Sequence, residues 1–243
     1  MTMCNAGIGA RSVRILGLGF VTAAMLGAAG SASADLVFSV EYQVNGSGPV
    51  AFDTESFPSS IGTYTASVAQ LTADGGGFQL NLASNGVSML GVGLVATAGF
   101  QPLLLSVTVT VPLSQALNGS MIGGSVAGGL TGDGQGGSVN GPGGGYMWMA
   151  SVNDTMVAGL LAGESNVGPY QSASIGSAAF GTPIPSAPGP SGNPVLGITY
   201  QMLLTPGETA TFTSVLVAAV PAPAGLALLA LAGVGGARRR RRA

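Results

Sequence analysis

Side chains able to do acid–base, nucleophilic or metal chemistry are scarce in this 243-residue chain. Between Asp35 and Ala237 there is no His, Cys, Lys or Arg. A Ser-His-Asp triad, a Cys-His pair, a lysine Schiff base and an arginine phosphate clamp are therefore all unavailable there. Zinc lacks its usual nitrogen and sulfur ligands. What survives is carboxylate chemistry. Asp53 and Glu55 stand two apart in "FDTES", which places both on one face if the stretch is a strand. Such a pair could act as acid and base on a glycosidic bond. A solvated polar edge beside a turn is the preferred reading. Asp133, Asn140 and Asp154 offer oxygen ligands of the kind calcium takes. Their spacing matches no EF-hand or glycine-aspartate repeat, so no metal and no cofactor is expected. Tyr146 and Trp148 in "GYMWMA" could stack on a sugar, but an aromatic between methionines on a strand belongs more naturally to a core. The run "GDGQGG" has neither the lysine nor the Ser/Thr helix start of a nucleotide cradle. The chain reads as non-enzymatic.

The elements that must position these groups are strands. "LVFSVEYQV" is rich in β-branched and aromatic residues in near alternation. "GTYTASVAQL" passes through "TADGGG" into "FQLNLAS", a hairpin in which Asp74-Gly75 is expected to supply positive φ angles. Asn85-Gly86 repeats the device before "VSMLGVGLVATA". In "LSVTVTV", Val107, Val109 and Val111 face one way while Ser106, Thr108 and Thr110 face the other. "GYMWMASVN", "TMVAGLLA", "PVLGITYQMLL" and "ETATFTSVLVA" complete a set of about nine or ten strands, which suggests one all-β domain, an antiparallel β-sandwich of jelly-roll-like arrangement, over residues 35–219. Two stretches interrupt it. Residues 119–145 are too glycine-rich to fill strand positions without weakening them and read as a long mobile loop. Residues 181–194, "GTPIPSAPGPSGNP", cannot donate a continuous ladder and read as extended polyproline-like coil.

Charge is distributed by position. All seven basic residues lie at the ends (Arg11, Arg14 and Arg238 to Arg242), and all nine acidic residues lie between them. The body alone carries a charge of −9, which repels nucleic acid, so no nucleic-acid partner is expected. Arg11 and Arg14, the apolar stretch "ILGLGFVTAAMLGAA" and the small residues Ala32 and Ala34 form, in order, a secretory signal peptide over residues 1–34, cleaved before Asp35 by signal peptidase. The lone Cys4 precedes the apolar stretch, so it serves neither a disulfide nor a lipoprotein cleavage site.

The other end mirrors this arrangement. "AGLALLALAGVGGA" is uncharged, but as a helix it covers only about 21 Å of the roughly 30 Å hydrocarbon core. Arg238, Arg239, Arg240, Arg241 and Arg242 follow as a cytoplasmic membrane stop. Val220-Pro221-Ala222-Pro223 precedes the span. This order of a Val-Pro-x-Pro element, a short Ala/Leu/Gly span and a terminal arginine cluster resembles the PEP-CTERM sorting signal of Gram-negative bacteria, with Ala222 where the family has Glu. The resemblance covers residues 220–243. It implies recognition by an exosortase, cutting near Val220 to Pro223, and passage from the inner membrane to the cell surface or extracellular matrix. The expected function is a structural or adhesive role in biofilm or exopolysaccharide. The alternatives are a carbohydrate-binding module and a carboxylate-dependent glycosidase.

Overall fold

The computed structural model describes residues 37–54, 64–114, 116, 119–192 and 194–219. Ala32, Ala34, Glu55, the motif Val220 to Pro223, the apolar span and Arg238 to Arg242 lie outside the described residues.

Within them the chain is all-β. The strands are β1 (Ser39–Val44), β2 (Val50–Asp53), β3 (Tyr64–Leu71), β4 (Gly77–Ser84), β5 (Met89–Thr97), β6 (Leu103–Pro112), β7 (Met121–Thr131) and β8 (Gly137–Asn140). They continue with β9 (Tyr146–Val152), β10 (Thr155–Ala162), β11 (Glu164–Val167), β12 (Ser172–Phe180), β13 (Ala187–Pro188), β14 (Val195–Leu204) and β15 (Thr209–Ala219). One sheet runs β10-β9-β14-β6-β1-β2, with β8 also on β14 and β11 on β8. The other runs β12-β7-β15-β5-β4-β3, with the two-residue β13 on β7. Every pair is antiparallel, and the two sheets share one core. Among the described residues no helix is long and apolar enough to cross a membrane.

The alternation expected from sequence sets the inner faces. Val107, Val109 and Val111 of β6 are buried, while Thr108 on the opposite face bonds the Thr199 hydroxyl of β14 at 2.9 Å. Leu196, Ile198, Tyr200, Met202 and Leu204 give β14 the same pattern. Across the gap lie Leu90, Val92 and Leu94 of β5 and Ala210, Phe212, Leu216 and Ala218 of β15. One buried polar tie crosses the core. The Tyr200 hydroxyl lies 2.7 Å from Ser214 Oγ and 3.1 Å from the Val92 carbonyl oxygen, so both hydroxyls are satisfied without water.

Residues 119–145 are not a long loop. They contain β7, the eleven-residue neighbour of β15 and β12, and β8. Glycine is used there for space. A Cβ at Gly128 would sit 2.8 Å from the Phe212 ring. One at Gly124 would sit 2.8 Å from the Val215 carbonyl oxygen, 2.9 Å from the Phe180 ring and 3.3 Å from Trp148. The volume given up by the strand is filled by aromatic rings from its neighbours, and Trp148 and Phe180 pack with centroids 6.3 Å apart. The cost of glycine in a strand is thereby offset by packing and by a ladder on both sides.

Three smaller differences follow. In the 72–76 turn Gly75 has φ +85°, but Asp74 stays out of the left-handed region and instead accepts a hydrogen bond from the Thr72 hydroxyl. The strands β11 and β12 arise from "ESNV" and "SASIGSAAF", whose small residues carry little alternation of hydropathy. Their pairing with β8 and β7 decides them. Residues 181–194 are largely coil, apart from β13 and an isolated bridge residue, Gly192.

Candidate functional site at one end of the sandwich

Four turns meet at one end of the fold: residues 72–76, 98–102, 132–136 and 205–208. Main-chain bonds stitch three of them together. The Phe100 N–H donates to the Asp74 carbonyl (3.3 Å), that of Gly207 to Gly99 (3.0 Å), and that of Ala98 to Glu208 (2.9 Å). The Tyr170 N–H donates to the Asp133 carbonyl at 2.7 Å, bringing the β11–β12 connection alongside. These turns enclose a cavity of about 530 Å³ lined by Asp74, Phe100, Asp133, Gln135, Thr205 and Pro206 among others.

One aromatic, Phe100, lines the cavity, and a second, Tyr170, lies beside it on the β11–β12 connection. Phe100 is 88% exposed and Tyr170 86% exposed. The Tyr170 phenol lies over Gly134, where a Cβ would approach its oxygen to 2.6 Å. Asp133 Oδ1 accepts the Gln135 N–H at 2.7 Å, which closes the 133–135 turn. The Thr72 hydroxyl bond, helped by nearby backbone N–H groups, holds the Asp74 carboxyl below its ordinary pKa against the opposing effect of desolvation.

Glu208 lies behind this lining. The residue is 0% exposed, and neither carboxyl oxygen has a hydrogen-bond partner. Burial pushes its pKa up. The Asp133 backbone N–H, too poorly placed to close a hydrogen bond, opposes that rise, and the Asp133 charge adds to it.

The structure separates the residues that the sequence offered as sites. Trp148 is fully buried, so it cannot meet a sugar, whereas Tyr146 on the same strand is 45% exposed and lies over Gly159. Asp53 ends the edge strand β2, where its carboxylate accepts the Ser39 hydroxyl at 2.5 Å. Asp154 sits in the β9–β10 turn beside Val195 at the start of β14, whereas Asn140 pairs with Leu203 near the end of β14. At about 3.3 Å per residue, those two groups lie at opposite ends of the fold and cannot share an ion. Phe100, Tyr170, Gln135 and Glu208 were not singled out by sequence reasoning. The turn dipeptides Gly99-Phe100 and Pro169-Tyr170, each placing an aromatic in a turn, were the available signal for two of them. The chain matches no family model, no curated protein and no solved structure.

Proposed function

We propose that this is an exported, non-enzymatic β-sandwich protein of the cell surface or extracellular matrix. Its signal peptide delivers it, and its PEP-CTERM-like terminus sorts it through signal peptidase, the inner membrane and an exosortase. The exchange of the chain between sheets at β5–β6, β6–β7 and β14–β15 favours a jelly-roll-like description of the body. One observation carries the sorting proposal. The described part of strand β15, held between β7 and β5, reaches Ala219, the residue before the Val220 to Pro223 motif. A cut at the motif would therefore leave every described strand pairing intact. The experiment is intact-mass analysis of the protein from its native host. A species beginning at Asp35 and ending near Pro223 is expected. A species retaining Arg238 to Arg242 would refute exosortase processing.

A second reading, carbohydrate binding by the same body, is favoured by the exposed Phe100 and Tyr170 beside the loop-end cavity. Exposed rings bind sugar faces, and carboxylates and amides accept and donate to hydroxyls. A body without cationic side chains suits neutral saccharides. Binding on a glycan array that is lost in Phe100→Ala and Tyr170→Ala, and kept in Tyr146→Ala, would establish it. Binding unaffected by the first two substitutions would exclude this cavity.

A further inference from the structure

Glu208 places an unpartnered carboxyl group in the interior. An ionised carboxylate there is strongly disfavoured unless an opposite charge meets it. The body has none to offer, because residues 35–237 contain no Lys, Arg or His. The nearby charge that acts on it is another acid, Asp133. The group can stay protonated, but if it is to ionise in the folded state its counter-charge must come from outside the described body.

The surroundings are built to admit two carboxyl groups. A Cβ at Gly137 would sit 2.8 Å from Glu208 Oε1, and one at Gly132 would sit 3.4 Å from Oε2 and 2.7 Å from the Gly168 carbonyl oxygen. A Cβ at Gly207, whose φ is +79°, would collide with the Asp133 carboxylate. Glycine thus stands at the three backbone points where the acids approach. The donor atoms within this region are carboxylate, carbonyl and hydroxyl oxygens, the last from Thr205 beside Gly137. Such a hard oxygen set suits calcium and offers nothing to softer metals.

We propose that Glu208 and Asp133 bind a divalent cation of the calcium class between the 132–136 and 205–208 turns, with main-chain carbonyls and water completing its shell. The ion neutralises the buried acid and pins two of the four turns that wall the loop-end cavity. Among the described residues no three Asp, Glu, His or Cys side chains converge on a metal site. Two carboxylates match the weaker affinity of extracellular calcium modules, with Kd on the order of 0.1–1 mM.

The test uses the full-length protein, stripped with chelator and then titrated with calcium chloride or terbium. Calcium is expected to raise Tm by about 5–10 °C at a hundredfold excess over Kd. The rise should vanish in Glu208→Gln, shrink in Asp133→Asn and persist in Asp154→Asn. Terbium bound beside Tyr170 should show tyrosine-sensitised emission that calcium displaces. A wild-type protein with no calcium-dependent shift and no displaceable emission overturns the proposal, as does a Glu208→Gln protein that keeps both. Should Glu208→Gln fail to fold, the wild-type terbium titration decides the matter alone.

Discussion

Replacing Gly124 by alanine tests the packing logic of this sandwich most directly. In β7 the added methyl would lie 2.8 Å from the Val215 carbonyl oxygen, a backbone atom of the adjacent central strand that cannot turn aside. It would also lie 2.9 Å from the Phe180 ring and 3.3 Å from Trp148. Relief requires β7 and β15 to separate or both rings to leave their rotamers, so overpacking should cost about 1–3 kcal/mol. For a body of this size that lowers Tm by roughly 2–4 °C per kcal/mol, or about 4–8 °C at the middle of the range. Gly91 in β5 is the matched control. Its Cβ would meet nothing closer than Ala83 Cβ at 3.6 Å, an ordinary contact. There alanine should stabilise by about 0.4–1 kcal/mol through reduced freedom of the unfolded chain. Urea titration followed by the single tryptophan, Trp148, reads both variants, and its ring is one of the groups that Gly124→Ala would displace. A Gly124→Ala protein as stable as wild type, with unchanged tryptophan emission, would refute the packed-strand account. The segment 119–145 would then behave as the loop that its composition suggests.

Three further outcomes are expected. Tyr200→Phe and Ser214→Ala should each cost about 1 kcal/mol, and the double variant less than their sum, because both hydroxyls share the Val92 carbonyl; a double-mutant cycle by urea unfolding measures this. In cation-free protein, Glu208 binds its proton more tightly when folded, since its folded pKa is raised. The stability it contributes is therefore fully present below its ordinary value of 4.5 and declines as pH rises from there through the folded pKa. Thermal unfolding across that range should show the decline in wild type and lose it in Glu208→Gln. Trypsin should leave the segment from Ile15 to Ala237 uncut even in denaturant, as mass spectrometry of the digest would show, because it contains no Lys or Arg.

Legibility varied with how local the determining physics was. The faces of β6, β14 and β15 were readable because alternation of Val, Leu or Ile with Thr or Ser is itself the pattern of a half-buried strand. Asn85 was readable as a turn former, and its carboxamide oxygen accepts the N–H groups of Val87, Ser88 and Met89. The strand β7 was not readable, since "IGGSVAGGL" has no bulk of its own and takes its order from Phe212, Phe180 and Trp148 on other strands. The candidate site was legible only in fragments. Asp133 could be named from sequence, but its neighbours come from positions 74, 100, 170 and 208, and closure of the sandwich alone brings them together.

Sequence by itself determined the all-β class, the acidic body free of cations, and the two basic ends that bracket it. Those properties follow from residue type and short-range order, which need no partner strand. Tertiary structure decided that Trp148 is core, that glycines in β7 make space for aromatic rings, and that Glu208 is hidden. In sequence Glu208 looks like any acid after a Pro-Gly turn. It is buried because the β7–β8 turn, more than 70 residues earlier in the chain, folds across it. Burial is a property of what packs on a residue, and that is set by strands distant in the chain.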